Sequence, residues 1–174
     1  MPSRTIVEIK ARCANQEKIR QLLLERKADF KGFDRQIDTY FRVPKGKLKL
    51  REGNIENALV YYEREEKSGP KQSNVLMESL SPDSSMRELL SKALGVLVAV
   101  DKKREIYFID NVKFHIDDVK GLGTFVEIEA IDSDGSIGKK TLLKQCREYL
   151  RLFRIPEKDL VSVSYSDLLL KKQF

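Results

Sequence analysis

The sequence has no tryptophan, a single histidine, two cysteines and five prolines among its 174 residues. Cys13 and Cys146 lack the spacing of a metal site and form no evident disulfide framework, which favours two reduced thiols in a cytoplasmic protein. No apolar run approaches the roughly 20 residues of a membrane helix. Strand-like alternation begins directly after Arg4, so we also expect no signal peptide and no membrane partner.

Charge is what the sequence has in excess. Charged residues make up 34% of it, whereas an average domain has roughly 25%. The 33 Lys and Arg residues outnumber the 27 Asp and Glu residues, and the net charge of +6 favours an anionic partner. Aromatic residues amount to only 8%, which argues against the stacking platforms of an RNA-binding barrel. We therefore expect a phosphorylated small molecule rather than nucleic acid.

The organisation of the chain is that of one domain over residues 1–174, because no repeat, low-complexity tract or linker divides it. Alternating apolar and polar residues indicate many short strands. Connections such as Asp110-Asn111 are too short for a parallel crossover, so consecutive strands must be antiparallel. The predicted strands are residues 5–13, 36–43, 47–52, 58–66, 74–80, 96–110, 112–119 and 124–132.

Three amphipathic segments with helical spacing interrupt the strands. Asn15 caps the first, and its apolar face is predicted to include Phe30. Ser85 and Glu88 are predicted to form a capping box before the second, which ends at Gly95. With a short final helix, the predicted helical segments are about residues 15–27, 85–95, 137–153 and 165–170.

The polar faces of the predicted strands carry charges of segregated sign. Acidic residues dominate these faces in the first and last strands, whereas basic residues dominate those of the middle strands. The simpler alternative is a sheet with helices on one side and a solvated polar face on the other. The helical segments beside the first and last strands need apolar sheet surface. If they cover the outside, the charged faces curve inward into a barrel.

A lumen lined by charges must hold water, ions or a charged ligand, because uncompensated buried charges are costly. A metal–polyphosphate would neutralise both signs at once, which predicts a small-molecule triphosphate as partner. The carboxylates that would bind Mg²⁺ or Mn²⁺ are Glu8, Asp117, Glu127 and Glu129. The bases that would bind phosphate are Lys10, Lys49, Arg51, Arg64, Lys102 and Arg104.

Several short motifs follow one another in a consistent order. Glu8 to Lys10 is similar to the second half of an ExExK signature, and Leu48 to Arg51 to an L-[KR]-[LI]-R strand. Further matching segments are Gln36 to Phe41, Tyr62 to Arg64, Lys102 to Tyr107, His115 to Glu129 and Ser164 to Leu169. Together they resemble the CYTH, or triphosphate tunnel, family, nearest to its class IV adenylate cyclase branch. The resemblance implies an α+β fold: an eight-stranded antiparallel β-barrel tunnel with helices packed on the outside.

The resemblance also implies a metal-dependent enzyme in which the six lumen bases clamp a triphosphate. It implies conversion of ATP to cyclic AMP and pyrophosphate, with hydrolysis of inorganic or thiamine triphosphate as the alternative. The residues expected to be catalytic are Lys10, Arg51 and Arg104. Those expected to support the site are Asp38, Tyr40 and His115. The alternative role is nucleoside recognition for Asp38 and Tyr40, and that of a catalytic base for His115.

One departure from the family pattern is Ile6, which stands where the first Glu of ExExK is expected. Loss of that carboxylate implies a weaker second metal site, slower chemistry, or a non-catalytic protein that only binds polyphosphate or a nucleotide. The remaining carboxylates would still suffice for one metal ion. A homodimer is a further expectation from the resemblance.

Overall fold

The computed structural model describes residues 3–65 and 67–173. Within these residues no helix combines the length and the apolar character needed to cross a bilayer. The strands are β1 (Ser3–Arg12), β2 (Asp29–Phe41), β3 (Lys47–Glu52), β4 (Asn57–Arg64), β5 (Lys71–Ser79), β6 (Val96–Ile109), β7 (Val112–Val119) and β8 (Gly123–Asp132). The α-helices are α1 (Gln16–Glu25), α2 (Met86–Leu94), α3 (Lys139–Leu152) and α4 (Tyr165–Lys172).

The strands form a closed barrel in the order β1-β5-β4-β3-β2-β6-β7-β8, and each pairing is antiparallel. β1 lies between β5 and β8, both distant from it in sequence, and its pairing with β8 closes the ring. Closure leaves no open edge among the eight described strands. The prediction of an eight-stranded antiparallel barrel with external helices is confirmed.

Two strands begin three or more residues earlier than the alternation predicted. β2 begins at Asp29 rather than residue 36, and β5 begins at Lys71 rather than residue 74. In β2 a register shift at Gly32, which has a φ of +124°, interrupts the alternation and hid the first half of the strand. Glu66, the predicted end of β4, lies outside the described residues.

The beginnings and ends of the helices match the prediction only in part. The Asn15 cap is confirmed, since its side chain accepts a hydrogen bond from the Lys18 N–H at 3.2 Å. The placement of Phe30 with α1 is wrong, because Lys27, at a φ of +55°, turns the chain into β2. Gly95 ends α2 as predicted, but the Ser85 side chain makes no cap bond, so the predicted capping box is wrong.

The outward faces of β1, β7 and β8 form the main hydrophobic core with α1 and α3. Its buried residues include Val7, Ile9, Leu23, Phe114, Ile128, Leu142 and Cys146. This packing confirms that helices beside the first and last strands cover the apolar outside of the barrel. α2 departs from that expectation, because none of its residues is buried and Leu89 is 57% exposed.

Candidate functional site

Inward-facing side chains of all eight strands line one cavity. The space within it that is open to the centres of water molecules is about 110 Å³. His115 and Asp117 are buried behind this lining, where they contact Glu127 and Arg104. The predicted site residues in the lining are Glu8, Lys10, Asp38, Tyr40, Lys49, Arg51, Arg64, Lys102, Arg104, Glu127 and Glu129.

Asp38 gathers three of the predicted phosphate-binding bases. Its carboxylate accepts hydrogen bonds from Lys49 Nζ at 3.1 Å, from Lys102 Nζ at 2.8 Å and from Arg51 Nε and Nη2 at 2.9 Å each. Asp38 lies opposite Arg51 in the pairing of β2 with β3, which brings them together. Burial alone would raise the pKa of Asp38, but the charges of Arg51, Lys102 and Lys49 hold it well below its usual value.

Lys102 is the most deeply placed of these bases. Burial lowers its pKa to about 7, with the neighbouring cations Arg104, Arg51 and Lys49 acting in the same direction and Asp38 against it. Its ammonium group therefore changes charge near neutral pH.

Arg104 on β6 and Asp117 on β7 form a buried bidentate pair. Arg104 Nε and Nη2 each donate to Asp117 at 2.7 Å, and the Tyr165 hydroxyl donates to Asp117 Oδ2, also at 2.7 Å. The two strands bring the residues together because they are directly opposite in register. Both oxygens of Asp117, which we predicted as a metal ligand, thus have a protein partner, and its carboxylate orients Arg104.

Three other carboxylates converge on the opposite wall. Glu8, Glu127 and Glu129 each offer an oxygen within 4.8 Å of the others. Glu8 and Glu129 are directly opposite each other across the β1–β8 seam. Burial opposes ionisation of Glu127, but Lys10 and Arg104 hold its pKa well below the usual value. Such a group of carboxylate oxygens fits a hard divalent cation such as Mg²⁺ or Mn²⁺.

Lys10 and Arg64 lie beside these carboxylates, so this part of the site contains positive as well as negative charges. Lys10 Nζ is 3.6 Å from Glu127 Oε1 and 4.0 Å from the centre of the Tyr165 ring. Arg64 Nη1 donates to Glu8 Oε1 at 2.6 Å. Burial lowers the pKa of Lys10, against the attraction of Glu127 and Glu8.

His115 on β7 is buried beside Glu127, its opposite residue on β8. Its Nδ1 lies 3.5 Å from Glu127 Oε2 and 3.8 Å from Glu129 Oε1. Burial, together with the charge of Arg104, lowers the pKa of the imidazole, so the ring is neutral near pH 7.

Ile6 faces the lumen, at the position where the family pattern has a carboxylate. It lines the same cavity as Glu8 and packs in an apolar cluster with Val60, Val75 and other inward-facing residues. The lumen is therefore not charged along its whole length. An apolar wall occupies the place where a further acidic ligand was expected.

The segment before and at the start of α4 covers one end of the lumen. Lys71 Nζ donates to the Ser162 carbonyl at 2.6 Å, and Lys47 Nζ donates to Ser164 Oγ at 2.6 Å. Ser164 and Tyr165 then line the cavity themselves. A capping box of Ser164 with Asp167 fixes the start of the helix.

Several site residues were missed in the sequence. Glu56, in the connection between β3 and β4, bonds Lys113 Nζ at 2.5 Å and Arg51 Nη1 at 3.3 Å. No strand periodicity applies to such a connection, so no local signal marks Glu56. Lys113 could have been found, because it alternates with His115 and Asp117 along β7. Tyr165 was assigned only to a terminal helix, although it reaches Asp117.

Comparisons with known proteins agree with this geometry. A model of the CYTH domain family matches residues 5–165. A protein of Methanocaldococcus jannaschii named "Putative adenylate cyclase MJ0240" is 28% identical over 93% of this chain and 97% of its own.

Solved structures share the fold. The PH1012 protein of Pyrococcus horikoshii has a TM-score of 0.76 and 27% identity, over 94% of this chain and 98% of its own. A Hippeastrum adenylyl cyclase homologue, described as having a dominant triphosphatase activity, has a TM-score of 0.63. It is 12% identical over 98% of this chain and 95% of its own, a likeness that concerns the fold alone.

Proposed function

Because the chain belongs to the CYTH domain family, we propose that it is a metal-dependent enzyme that converts ATP to cyclic AMP and pyrophosphate in the barrel lumen. The observation that carries the proposal is the juxtaposition of two groups in one cavity. Arg51, Lys49 and Lys102 converge on one wall, and Glu8, Glu127 and Glu129 on the other. In a metal–triphosphate, the negative phosphates would neutralise the basic group and the positive metal ion would neutralise the acidic group.

The bases are held in position before a ligand binds. Asp38 fixes Arg51, and Asp117 fixes Arg104 through a two-bond contact. Each guanidinium keeps other N–H groups that can donate to phosphate oxygens. Stabilising the charge that moves onto the departing phosphates is most of what phosphoryl transfer requires. In this role Arg51, Arg104 and Lys10 contact the reacting phosphates.

Glu8, Glu127 and Glu129 would hold the divalent ion, Mg²⁺ or Mn²⁺. When bound, the ion supplies charge neutralisation and orients the phosphate chain. Asp117 orients Arg104 in this scheme, and because a carboxylate has about four acceptor sites it stays a proposed ligand beside His115 and Glu127. Lys10, beside Glu127, is placed to contact the triphosphate near the ion.

Two alternatives follow from the same lumen. Hydrolysis of inorganic or thiamine triphosphate needs the same clamp, with water in place of the ribose 3′-hydroxyl as nucleophile. A non-catalytic protein that binds polyphosphate or a nucleotide is favoured by Ile6, whose apolar side chain faces the lumen. The cyclase is the first choice because the 28% identical relative carries that name.

Identification of the products from ATP tests the proposal. The protein is incubated with ATP and Mg²⁺ or Mn²⁺, and nucleotides and phosphates are separated by ion-exchange chromatography. Cyclic AMP and pyrophosphate support the cyclase, whereas ADP and phosphate, or turnover of inorganic or thiamine triphosphate alone, support the triphosphatase. Tight calorimetric binding of all three compounds without turnover would leave only the binding function.

An Arg51→Ala variant and an Arg87→Ala variant serve as a matched pair in this assay. Both remove one positive charge, but Arg87 is exposed and pairs with Glu52 outside the lumen. Any activity that belongs to the lumen should be lost with Arg51 and kept with Arg87.

A further inference from the structure

We propose that His115 Nδ1 is a ligand of the divalent ion held by Glu127 and Glu129, and that the centre therefore prefers a first-row transition ion such as Mn²⁺ to Mg²⁺. The inference rests on the proposed function, because it assigns a further ligand to the metal site of the same lumen. In this proposal the imidazole of His115 binds the metal ion directly instead of only supporting the barrel wall.

The distances from His115 Nδ1 suit a shared ion better than hydrogen bonds. It lies 3.5 Å from Glu127 Oε2 and 3.8 Å from Glu129 Oε1. A well-formed N–H···O bond spans about 2.7–3.2 Å. Two ligand atoms that each lie about 2.1 Å from one ion are about 3.0 Å apart at a right angle and about 3.4 Å apart at a tetrahedral angle. Small side-chain adjustments would bring Nδ1 and the two oxygens to that spacing.

The burial of the ring and the long contacts of Nδ1 argue against a purely structural role. The side chain is 1% exposed, and Nε2 has no hydrogen-bond partner in the part of the chain that the structure describes. A buried imidazole whose Nδ1 has no well-formed hydrogen bond is costly, and an ion bound there would satisfy Nδ1, while Nε2 would keep its proton without an acceptor among the described residues. A neutral imidazole has a lone pair to give to a cation, which accounts for a histidine here.

The surrounding contacts leave the required oxygens available. Glu127 Oε1 faces Lys10 and Arg104, at 3.6 and 3.4 Å, whereas its Oε2 faces His115. Glu8 offers an oxygen within 4.8 Å of Glu127 and Glu129, and Asp117 offers one within 4.8 Å of His115 and Glu127. The proposed set is one imidazole nitrogen and the carboxylates of Glu127 and Glu129. Carboxylates alone suit Mg²⁺ and Mn²⁺, but an imidazole nitrogen shifts preference toward transition ions.

Metal binding to the full-length wild-type protein, without any triphosphate, provides the first measurement. Calorimetry with Mg²⁺, Mn²⁺ and Co²⁺ gives the order of affinities, and pulsed electron paramagnetic resonance of the Mn²⁺ complex detects a coordinated nitrogen. We expect tighter binding of Mn²⁺ and Co²⁺ than of Mg²⁺, and a ¹⁴N coupling to Mn²⁺. Binding of Mn²⁺ without ¹⁴N coupling would overturn the inference, as would equal affinity for the three ions or no binding at all.

A His115→Gln variant provides the second measurement, with Ser73→Ala as its control. Ser73 Oγ also lies buried in the lumen with no partner among the described residues, but it belongs to neither charged group. Loss of one ligand should weaken Mn²⁺ and Co²⁺ binding on the order of 100-fold and abolish the ¹⁴N coupling, while changing Mg²⁺ binding less than about threefold. Ser73→Ala should match the wild type. Unchanged Mn²⁺ affinity in folded His115→Gln would contradict the assignment.

The inference and the proposed function can fail separately. Metal-dependent turnover of a triphosphate with no nitrogen coupled to Mn²⁺ would remove His115 from the ligand set and leave the enzyme in place. A nitrogen-ligated Mn²⁺ centre in a protein that neither binds nor converts any triphosphate would do the opposite. If His115→Gln fails to fold, the wild-type spectrum still decides the question.

Discussion

The two faces of β7 are buried alike but differ in chemistry. Phe114 and Ile116 point outward into the core with α1 and α3, whereas Lys113, His115 and Asp117 point toward the lumen. Apolar burial outside stabilises the fold in proportion to the area removed from water. Burial of charges inside costs free energy that ion pairing only partly returns. The contrast teaches that stability and ligand binding are carried by opposite sides of the same strands, so each can be perturbed separately.

The largest effect is expected on the outer side, from Phe114→Ala. Phe114 is 0% exposed, and its ring packs against those of Tyr149 and Phe153. Loss of the ring should lower the free energy of unfolding by about 3–5 kcal/mol. Urea unfolding followed by circular dichroism measures the change. A loss below about 1 kcal/mol would mean that the outer core does not carry the stability assigned to it.

On the lumen side, Arg51→Ala should weaken ligand binding while leaving the stability of the fold largely unchanged. Triphosphate affinity should fall about 10- to 100-fold, because charge-assisted hydrogen bonds to phosphate are lost. The barrel should remain folded, since Asp38 keeps Lys49 and Lys102 as partners. Calorimetric titration and thermal melting of the same samples separate the two quantities, with Arg87→Ala as the surface control. Unchanged affinity would exclude Arg51 from the clamp.

Proton uptake by Lys102 gives a sharper test of whether the triphosphate binds in the lumen. With a pKa of about 7 it is mostly neutral at pH 8, and a bound polyanion favours its charged form and raises that pKa. Triphosphate binding at pH 8 should therefore take up close to one proton, and at pH 5.5, where Lys102 is already protonated, its contribution should vanish. Calorimetry in two buffers of different ionisation enthalpy measures the uptake. Equal uptake by Lys102→Met would assign the proton to another group.

The smallest effect is expected where the lumen meets α4. Tyr165→Phe removes the hydroxyl that donates to Asp117 but leaves the bidentate contact of Asp117 with Arg104. We expect a loss of about 1 kcal/mol in the free energy of unfolding. Chemical denaturation detects a change of this size. A loss above about 3 kcal/mol would mean that Arg104 alone does not satisfy the buried carboxylate.

Strand alternation and short connections predicted the strands and their antiparallel order, whereas the resemblance to the CYTH family supplied the closed eight-stranded barrel. Alternation failed at the Gly32 register shift, where it breaks, and the cap prediction failed at Ser85, whose φ of −83° and ψ of 13° differ from the extended backbone of a typical N-cap. Ordered motifs predicted most of the lining, since inward residues recur at every second position. Glu56 was beyond reach, because its connection has no period and its partners Arg51 and Lys113 come from different strands.

Which residues line the site was easier to predict than which of them contact one another. The sequence places Asp117 among the carboxylates but cannot say that Arg104 and Tyr165 occupy both of its oxygens. Such partners depend on the register between strands and on the docking of a remote segment. Neither is encoded in a local pattern.

The β1–β8 pairing has a consequence for how the protein acquires its fold. Glu8 lies on β1, whereas Glu127 and Glu129 lie on β8. The three carboxylates therefore become neighbours only when these two strands pair and close the barrel. Their mutual repulsion opposes that event, and a cation bridging them would favour it. The concentration of divalent metal should therefore influence how often the β1–β8 pairing opens. Amide hydrogen–deuterium exchange along β1 and β8 measures this opening.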